Sequence, residues 1–556
     1  MAEEENIVHI PNFSYPFKKI TDEKKCYELL KDKAEGNYLF SQHGLWHGGL
    51  HFDSFFDKEI KCIADGEIVA YKINTKYLQN EGEENEENGL YSTGFILIRH
   101  YFEYPKDNKL TFFSLYMHMA DKSKYNEEKE TTTTYTIKSG DSLSKIASQY
   151  KTTVAQIQKD NNIANANSIA VGQKLQIKSK STDTKPKYII ENPIYDTVQI
   201  LAEPKSIKAG ENIGLVGFYT PPRQKARIAT HLEIFTKDDV KNFAKDAKKK
   251  YEEDKSPNKP KPTQIKVPIE KDIYKIEEQE IVKTPKANDT ATLKDNCETQ
   301  TEQEPLTNGT QIDVDESSLV CGSRYEVDSI EGKDVSEENF TIYKGSVGTI
   351  NIPKKTDKKT QEEKIYKLSD VKIIESNKIK YVQIDEETVL LYSDCEELHP
   401  ITFDWARIID IQSKDKISIF DSLENHVVPT SVEKNMCLSD SFTELFKLID
   451  KDNNNMLELL EIKEASKKEL IKQTTSKYIV KHSSEWHKEI NMADVFLDIF
   501  SKHKEEIENS CEIDDHYKKQ KERIDKLSFF TECKDIEEFP KSDDVYHFNP
   551  IGLVGE

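Results

Sequence analysis

The spacing of hydrophobic positions changes several times along this chain, and each change predicts a different kind of structure. Runs of β-branched and aromatic residues, bounded by glycine and acidic turns, occupy residues 37–120 and resume over 187–235. Such residues pack well on a pleated surface, so both stretches predict β-strands. Shorter runs of the same type lie within 338–412. From Ser439 to Phe530 the apolar residues recur with a helical period instead.

The pattern predicts a multidomain fold, since 556 residues exceed what one hydrophobic core usually holds. We expect a β-rich domain interrupted by an inserted βααβ module, then a small β domain and a mainly α-helical C-terminal domain. The expected segments are, in chain order, 1–134 for the first part of the β-rich domain, 135–180 for the inserted module, 181–245 for the second part, 246–335 for a polar linker, 336–412 for the small β domain and 413–556 for the helical domain.

Composition and charge exclude several classes of protein. The chain has 79 Lys and Arg residues against 101 Asp and Glu residues, which argues against a nucleic-acid binder because such binders neutralise phosphates. Eight scattered cysteines form no CxxC pair, so a thiolate zinc site or a disulfide framework is disfavoured. The N-terminus lacks the features of a secretory signal, and no apolar run is long enough to predict a membrane span. We therefore expect synthesis in the cytoplasm.

Residues 135–177 show the βααβ pattern most clearly. A short strand and a glycine turn precede a helix that Asp141 or Ser142 caps, a second helix begins near Thr153, and VGQKLQI is the returning strand. The segment resembles the LysM family, whose members bind the N-acetylglucosamine backbone of peptidoglycan or chitin. The resemblance places the glycan groove between two loops, Ser139–Leu143 and Ile163–Val171. The alternative is a LysM fold that serves only as a spacer.

Four histidines lie on predicted strands of the β-rich segments. His47 and His51 are four residues apart, so on an extended strand both point to the same side. His231 lies in RIATHLEIF, and His118 follows Tyr116 by two residues in LYMHMA. Imidazoles that converge in this way can hold a catalytic zinc ion, which needs three protein ligands and one open position for water.

The motifs around these histidines resemble the lysostaphin-type (LytM-like) zinc endopeptidases over about residues 37–240, once the inserted module is set aside. They are LWHGGLHF, IADGEIVAY, GFILIRH, LYMHMA, IKAGENIGLVGFY and THLEIF, in the order of the family. The resemblance implies that His47, His51 and His231 bind Zn²⁺. It also implies that His118 is catalytic, moving a proton or stabilising the oxyanion.

Two positions depart from the pattern of that family. The family has Asp where His51 stands and a second catalytic His where Ala229 stands. Histidine is an acceptable zinc ligand, and Asp53 on the same strand face could orient a ligand from behind. The alternative is a degenerate peptidase fold in which the histidines only satisfy hydrogen bonds.

The segment DKDNNNMLELLE has the spacing of an EF-hand calcium loop between two predicted helices. The residues at ligand positions are Asp450, Asp452, Asn454, Met456 through its carbonyl oxygen, Glu458 and Glu461. Calcium, Ca²⁺, is therefore a second expected cofactor. The alternative is an acidic helix–helix turn.

The C-terminal region resembles wall-degrading effectors of type VI secretion, which pair an EF-hand-like loop with a lysozyme-like helical fold. In lysozyme-like enzymes a Glu with a raised pKa is the general acid. The resemblance makes Glu485, beside Trp486, the candidate catalytic residue here. The alternative is that Glu485 is an ordinary solvated helix end.

Together these patterns predict a peptidoglycan-targeting hydrolase, a zinc endopeptidase of the peptide crosslinks that LysM anchors to glycan. We expect an antibacterial effector that acts in the periplasm or wall of a target cell, with an immunity protein and a component of the secretion apparatus as further partners. Two alternatives stay open: a non-catalytic wall-binding protein, and a glycan hydrolase whose active site is C-terminal.

Overall fold

The structure is a computed structural model that describes most of the chain. The described residues are 8–30, 36–40, 46–53, 56–80, 89–125, 130–150, 152–180, 188–220, 225–257, 259–281, 289–293, 311–314, 324–330, 333–334, 340–343, 348–376, 378–410, 440–454, 459–484, 486–487, 519, 521–542 and 544–556. The chain divides into two compact units. One consists of Met1–Phe243 with Ala406–Glu556, and the other is Ala244–Trp405.

Nine described strands form the main sheet of the first unit. Eight follow one another across the sheet in the order Gln199–Ile207, Gly66–Lys72, Phe95–Glu103, Lys109–Met117, Ala229–Thr236, Asp544–Phe548, Tyr478–Ser483 and Arg407–Asp410, and the ninth, Gly49–Asp53, pairs with Ala229–Thr236. Neighbouring strands are antiparallel except the last two of the eight, which run parallel.

The strand Ala229–Thr236 lies in the interior of this sheet, and all eight of its residues are buried. One of its edges pairs with Lys109–Met117. Its other edge is shared, because Gly49–Asp53 pairs with the first part of the strand and Asp544–Phe548 pairs with the last three residues. A buried backbone N–H or C=O group without a partner costs free energy, so the C-terminal strand completes a ladder that Gly49–Asp53 leaves open.

The C-terminal region differs from the separate helical domain that the sequence led us to expect at 413–556. Its strands Tyr478–Ser483 and Asp544–Phe548 belong to the main sheet. Phe530 also joins the core of the first unit, with its ring 5.7 Å from that of Phe235. A short apolar run fits a strand or a helix equally well, and partners far away in the sequence decide between them.

Several smaller elements complete the first unit. Two-residue to four-residue strands pair as Leu39–Phe40 with Trp46–His47, Glu59–Lys61 with Asn212–Leu215, and Leu78–Gln79 with Leu90–Tyr91. The described helices outside the inserted module are Glu23–Leu30, Asp440–Ile449, Leu459–Lys467, Glu469–Ser476, 521–527 and Pro550–Gly555, with short 3-10 turns at Lys122–Lys124 and Phe530–Cys533.

The inserted module has the predicted βααβ fold. Its elements are the strand Glu130–Thr136, the helices Leu143–Gln149 and Val154–Asp160, and the strand Lys174–Lys180, which pairs antiparallel with the first. Ser142 and Thr153 cap the two helices, each accepting a hydrogen bond from the backbone N–H three residues on. The buried core of the module is Ile137, Leu143, Ile146, Ala147, Ile157, Leu175 and Ile177.

The unit Ala244–Trp405 is also rich in strands, and part of the expected linker 246–335 contributes to them. Its larger described sheet runs in the order Gln311–Val314, Asp289–Leu293, Arg324–Ile330, Phe340–Tyr343, Gly348–Lys359, Asp272–Ile281, Val389–Leu391, Ile379–Gln383 and Lys372–Ser376, and Lys333–Asp334 pairs with Arg324–Ile330. A smaller sheet has the order Lys364–Lys367, Gln264–Val267 and Glu396–Leu398. The helix Val240–Glu253 precedes both, and short 3-10 turns lie at Leu368–Asp370, Tyr392–Asp394 and Pro400–Thr402.

None of the helices in the described part of the chain combines the length and the apolar character needed to cross a lipid bilayer.

Candidate metal centre and glycan-binding module

The structure brings His47, His51 and His231 together at one point of the main sheet. His51 and His231 lie directly opposite each other on paired strands, and His47 ends the short strand just before. The ligand nitrogens of the three side chains all lie within 4.8 Å of one another. Their ring centroids are 4.9–5.0 Å apart. We call these three residues the histidine cluster.

Two glycines allow the imidazoles to approach so closely. A Cβ atom at Gly36 would lie 2.3 Å from Nδ1 of His51, and a Cβ at Gly49 would lie 2.7 Å from Nε2 of His231. Real Cβ atoms essentially never come that near another heavy atom. Glycine at these two positions is therefore a packing requirement of the cluster.

The environment of the cluster keeps the imidazoles of His47 and His51 neutral. Burial lowers the pKa of His47 to about 3, and the neighbouring His231 adds to the shift. Burial, followed by the other histidines, also holds the pKa of His51 well below its usual value. A neutral imidazole has a free lone pair on one ring nitrogen, which is the form that binds a metal ion.

Hydrogen bonds determine which ring nitrogens are available. Nδ1 of His47 lies 2.7 Å from the carbonyl oxygen of Gly49 and donates to it, which leaves the lone pair on Nε2. Nε2 of His231 lies 3.1 Å from Oε2 of Glu233, and its Nδ1 is buried with no hydrogen-bond partner among the residues that the structure describes. A metal ion bound to His231 would use this Nδ1.

Glu233 lies behind the cluster, fully buried. Besides His231, its carboxylate accepts a hydrogen bond from Nε1 of Trp486 and lies 3.0 Å from Nδ1 of His547. Burial alone would raise the pKa of Glu233, but the hydrogen bonds from the two histidines outweigh it and lower the pKa. The carboxylate is therefore charged, and it fixes the orientation of His231.

His118 lies beside the cluster and outside it. The strand that precedes it ends at Met117, and His118 has a left-handed backbone with φ of 60°. His118 therefore lies just outside the strand that carries Tyr116, whereas the sequence predicted it on a strand. Its Nδ1 lies 3.0 Å from the carbonyl oxygen of Ser92, and its ring is 6.2 Å from that of His51.

Sequence reasoning missed several residues of this site. Tyr219 packs between two of its histidines, with its ring 4.4 Å from that of His51 and 4.6 Å from that of His118. Trp486 and His547 reach Glu233 from more than 250 positions away, and no local pattern marks them. Glu233 could have been found from the sequence, because it follows His231 by two residues and therefore lies on the same strand face.

The two positions that depart from the lysostaphin-type pattern, His51 and Ala229, lie on neighbouring antiparallel strands, and His51 is paired with His231 rather than with Ala229. Ala229 begins its strand directly opposite Asp53, two residues from His231. Ala229 is 6 % exposed, so its methyl group occupies a buried position where a histidine would otherwise face the site. A further histidine, His100, is buried between the carbonyl oxygen of Asp65 and Oγ of Ser114.

A second group of possible metal ligands lies in the predicted calcium loop. Asp450, Asp452 and Glu461 each place a carboxylate oxygen within 4.8 Å of the others. The backbone N–H of Asn454 donates to Oδ1 of Asp452 at 3.1 Å. The helices Asp440–Ile449 and Leu459–Lys467 flank the loop. Three predicted site residues lie outside the described residues, namely Met456, Glu458 and Glu485.

The inserted module presents its predicted groove loops at the surface. Gly140, with φ of 87°, turns the chain within Ser139–Leu143, and Val171 in the second loop is 71 % exposed. Asn161 ties the second helix to the returning strand through two hydrogen bonds with the backbone of Gln176. The loops are thus displayed by a rigid base.

Comparison with known proteins identifies this module. Residues 135–178 match the family described as the LysM domain. No solved structure matches the chain. Residues 135–178 are therefore a LysM domain, and the chain carries a module that implies binding to peptidoglycan or a related glycan.

Proposed function

We propose that this chain is a zinc-dependent endopeptidase that cuts the peptide crosslinks of peptidoglycan and is held on the glycan by its LysM domain. One observation carries the proposal. His47, His51 and His231 place three ligand nitrogens within 4.8 Å of one another in a buried position beside a fourth histidine. The resemblance of the surrounding motifs to lysostaphin-type enzymes supports it.

The residues present fit a zinc ion. Three neutral imidazoles are a usual ligand set for catalytic zinc, and they leave a fourth position for water or substrate. Within the described part of the chain, Nδ1 of His231 is a buried nitrogen without a hydrogen-bond partner, and a metal ion would satisfy it. Glu233 supplies the carboxylate that commonly accepts the second ring N–H of a metal-binding histidine.

Zinc bound there would supply Lewis acidity toward a peptide carbonyl and toward water. The protein's own residues would then position the peptide and handle the proton. His118 is held by Ser92 through Nδ1, so its Nε2 is the nitrogen that can exchange a proton with the reacting groups. Its position against Tyr219 confines the imidazole to one side of the site.

The LysM domain would hold the peptidase unit on its substrate, peptidoglycan. A module that binds the glycan strand keeps the peptidase unit near the attached peptides, which raises their effective concentration without any new contact. On the resemblance of the C-terminal region to wall-degrading effectors of type VI secretion, we extend the proposal to an antibacterial effector that acts in the periplasm or wall of a target cell and requires an export apparatus and an immunity protein. Calcium held by Asp450, Asp452 and Glu461 would support the fold rather than the chemistry.

The zinc content of the purified full chain tests the proposal. We expect one zinc ion per chain, retained after dialysis, and its loss in His231→Ala. His9→Ala is the matched control, because His9 lies away from the cluster and stacks on Tyr101. A parent protein without stoichiometric zinc, or a His231→Ala protein that keeps it, would overturn the metal site.

A further inference from the structure

Arg523 is a buried cation, and two of its three donor nitrogens have no hydrogen-bond partner in the part of the chain that the structure describes. It lies on the helix 521–527 and is only 6 % exposed. Among the described residues, its buried Nε and Nη2 atoms have no hydrogen-bond partner, and no carboxylate forms an ion pair with it. Guanidinium stays charged at all physiological pH values, so this is a permanent charge with two unsatisfied donors.

The guanidinium lies beside the histidine cluster. It stands over the rings of Tyr91 and Tyr219, with its Cζ atom 5.5 Å and 4.9 Å from their centroids. Tyr219 in turn contacts His51 and His118. The pKa of His118 is consistent with a nearby positive charge. Burial is the largest cause of its lowered pKa, and the charge of Arg523 is the second largest.

The tyrosine rings stabilise the charge without satisfying its donors. A cation over an aromatic face is attracted by the ring quadrupole, whereas the N–H groups of guanidinium point outward in its own plane. A buried charge normally requires both a counter-charge and hydrogen bonds. Carboxylate supplies both, because its two oxygens match the fork of N–H donors.

We propose that Arg523 is the anion-binding residue of this site and that it takes a carboxylate of the bound peptide. The inference rests on the proposed function for the identity of that peptide, but the anion site itself depends only on Arg523 and the two tyrosines. Arg523 thus provides a fixed positive charge next to His118, whose own imidazole is kept neutral by its lowered pKa. It selects peptides that carry a free carboxylate near the bond under attack.

A matched pair of small peptides tests the site. N-acetyl-alanyl-alanine and its C-terminal amide differ only in the carboxylate. We expect the free acid, at millimolar concentration, to raise the thermal unfolding midpoint of the full chain and the amide to leave it unchanged. The measurement is made in excess chelator at constant ionic strength, so that a carboxylate–metal bond cannot produce the shift.

The variant Arg523→Gln keeps a polar side chain and removes the charge. We expect it to weaken acid binding by roughly tenfold or more, since hydrogen bonds to charged groups are the strong ones. Equal shifts with acid and amide in the parent protein overturn the proposal, and this comparison holds even if the variant does not fold. An unchanged response to the acid in folded Arg523→Gln overturns it as well.

Zinc content separates this proposal from the proposed function. Arg523 is not in the histidine cluster, so Arg523→Gln should keep its zinc. A parent protein that binds the acid but no zinc refutes the peptidase and leaves the anion site in place. A parent protein that binds zinc and ignores the acid refutes the anion site alone.

Discussion

At the residue scale, the backbone of His118 shows how the site places its fourth imidazole. A non-glycine residue with φ of 60° costs on the order of 1–3 kcal/mol, and such residues persist only where their surroundings hold them. Here the strand ends at Met117, the chain turns, and the imidazole lies between Ser92 and Tyr219. The strained backbone of His118 therefore holds its imidazole in one position.

His118→Ala should abolish measurable cleavage and leave the zinc content intact. The expected loss is roughly a hundred- to ten-thousandfold, because one acid–base group contributes that much and Ala229 offers no second one. Digestion of purified walls and metal analysis on the same sample measure both quantities. Loss of zinc would show that His118 is a ligand, and full activity would move the chemistry elsewhere, with Glu485 the next residue to change.

Glu233 should matter for metal affinity rather than for the number of ions bound. Glu233→Gln keeps the shape of the side chain but removes the charge that orients His231. Loss of such a partner costs roughly ten- to a hundredfold in metal affinity. Competition against a chelator of known affinity measures it, with Glu537→Gln as an exposed control at the same sheet. Equal zinc affinity in Glu233→Gln and the parent would contradict this role.

At the element scale, the chain enters the LysM domain at the start of one strand and leaves it at the end of the strand paired with it. Residue Glu130 lies directly opposite Lys180, so the chain enters and leaves the module at neighbouring points. A module attached in this way can be removed without stretching the domain that holds it.

Replacing residues 130–180 by a short Gly-Ser link should weaken binding to purified sacculi and leave the zinc content unchanged. Cosedimentation with sacculi measures the first quantity and metal analysis the second. Val171→Asp, on the exposed groove loop, is the finer test and should also reduce cosedimentation. Undiminished binding after removal of the module, or collapse of the remaining chain, would contradict the separation of the two roles.

The acidic loop should make the stability of the chain depend on calcium. Asp450, Asp452 and Glu461 lie close enough to share one ion, and binding only to the folded state raises the unfolding midpoint. Calcium should raise the midpoint of the parent and not that of Asp450→Ala. Asp535→Ala, an exposed residue outside the loop, is the control. No rise in the parent would exclude a calcium site here.

The sequence predicted the N-terminal strands far better than the C-terminal ones. Runs such as GFILIRHYFEY are long and bounded by turn residues, and they form strands such as Phe95–Glu103. The runs KYIVKHS and VYHF are short and lie beside helical periodicity, so pattern alone did not identify the strands Tyr478–Ser483 and Asp544–Phe548. Their place depends on pairing with Ala229–Thr236, which no local signal specifies.

The same distinction applies to the site. His47, His51 and His231 could be predicted because their spacing on two strands is local information. Trp486, Arg523 and the other C-terminal residues could not, because only the folded sheet brings them to the cluster.

At the scale of the whole molecule, the C-terminal region is part of the candidate active site. His547 and Trp486 contact the carboxylate of Glu233, and Asp544–Phe548 completes the pairing of the strand that carries His231. The first unit therefore consists of both chain ends, and its chemistry depends on both. We infer that a fragment ending near residue 243 would lose the contacts that Trp486 and His547 make with Glu233 behind His231.

The proposed endopeptidase activity can be measured by mass spectrometry of the products that the purified full chain releases from peptidoglycan. Cleavage of a peptide bond should give new free amines on the peptides, and these should depend on zinc and be absent with His231→Ala. New reducing ends on the glycan would instead identify a glycan hydrolase, and intact walls that still bind the protein would identify a binding protein. Either of those results, obtained with zinc-loaded protein, would contradict a zinc endopeptidase.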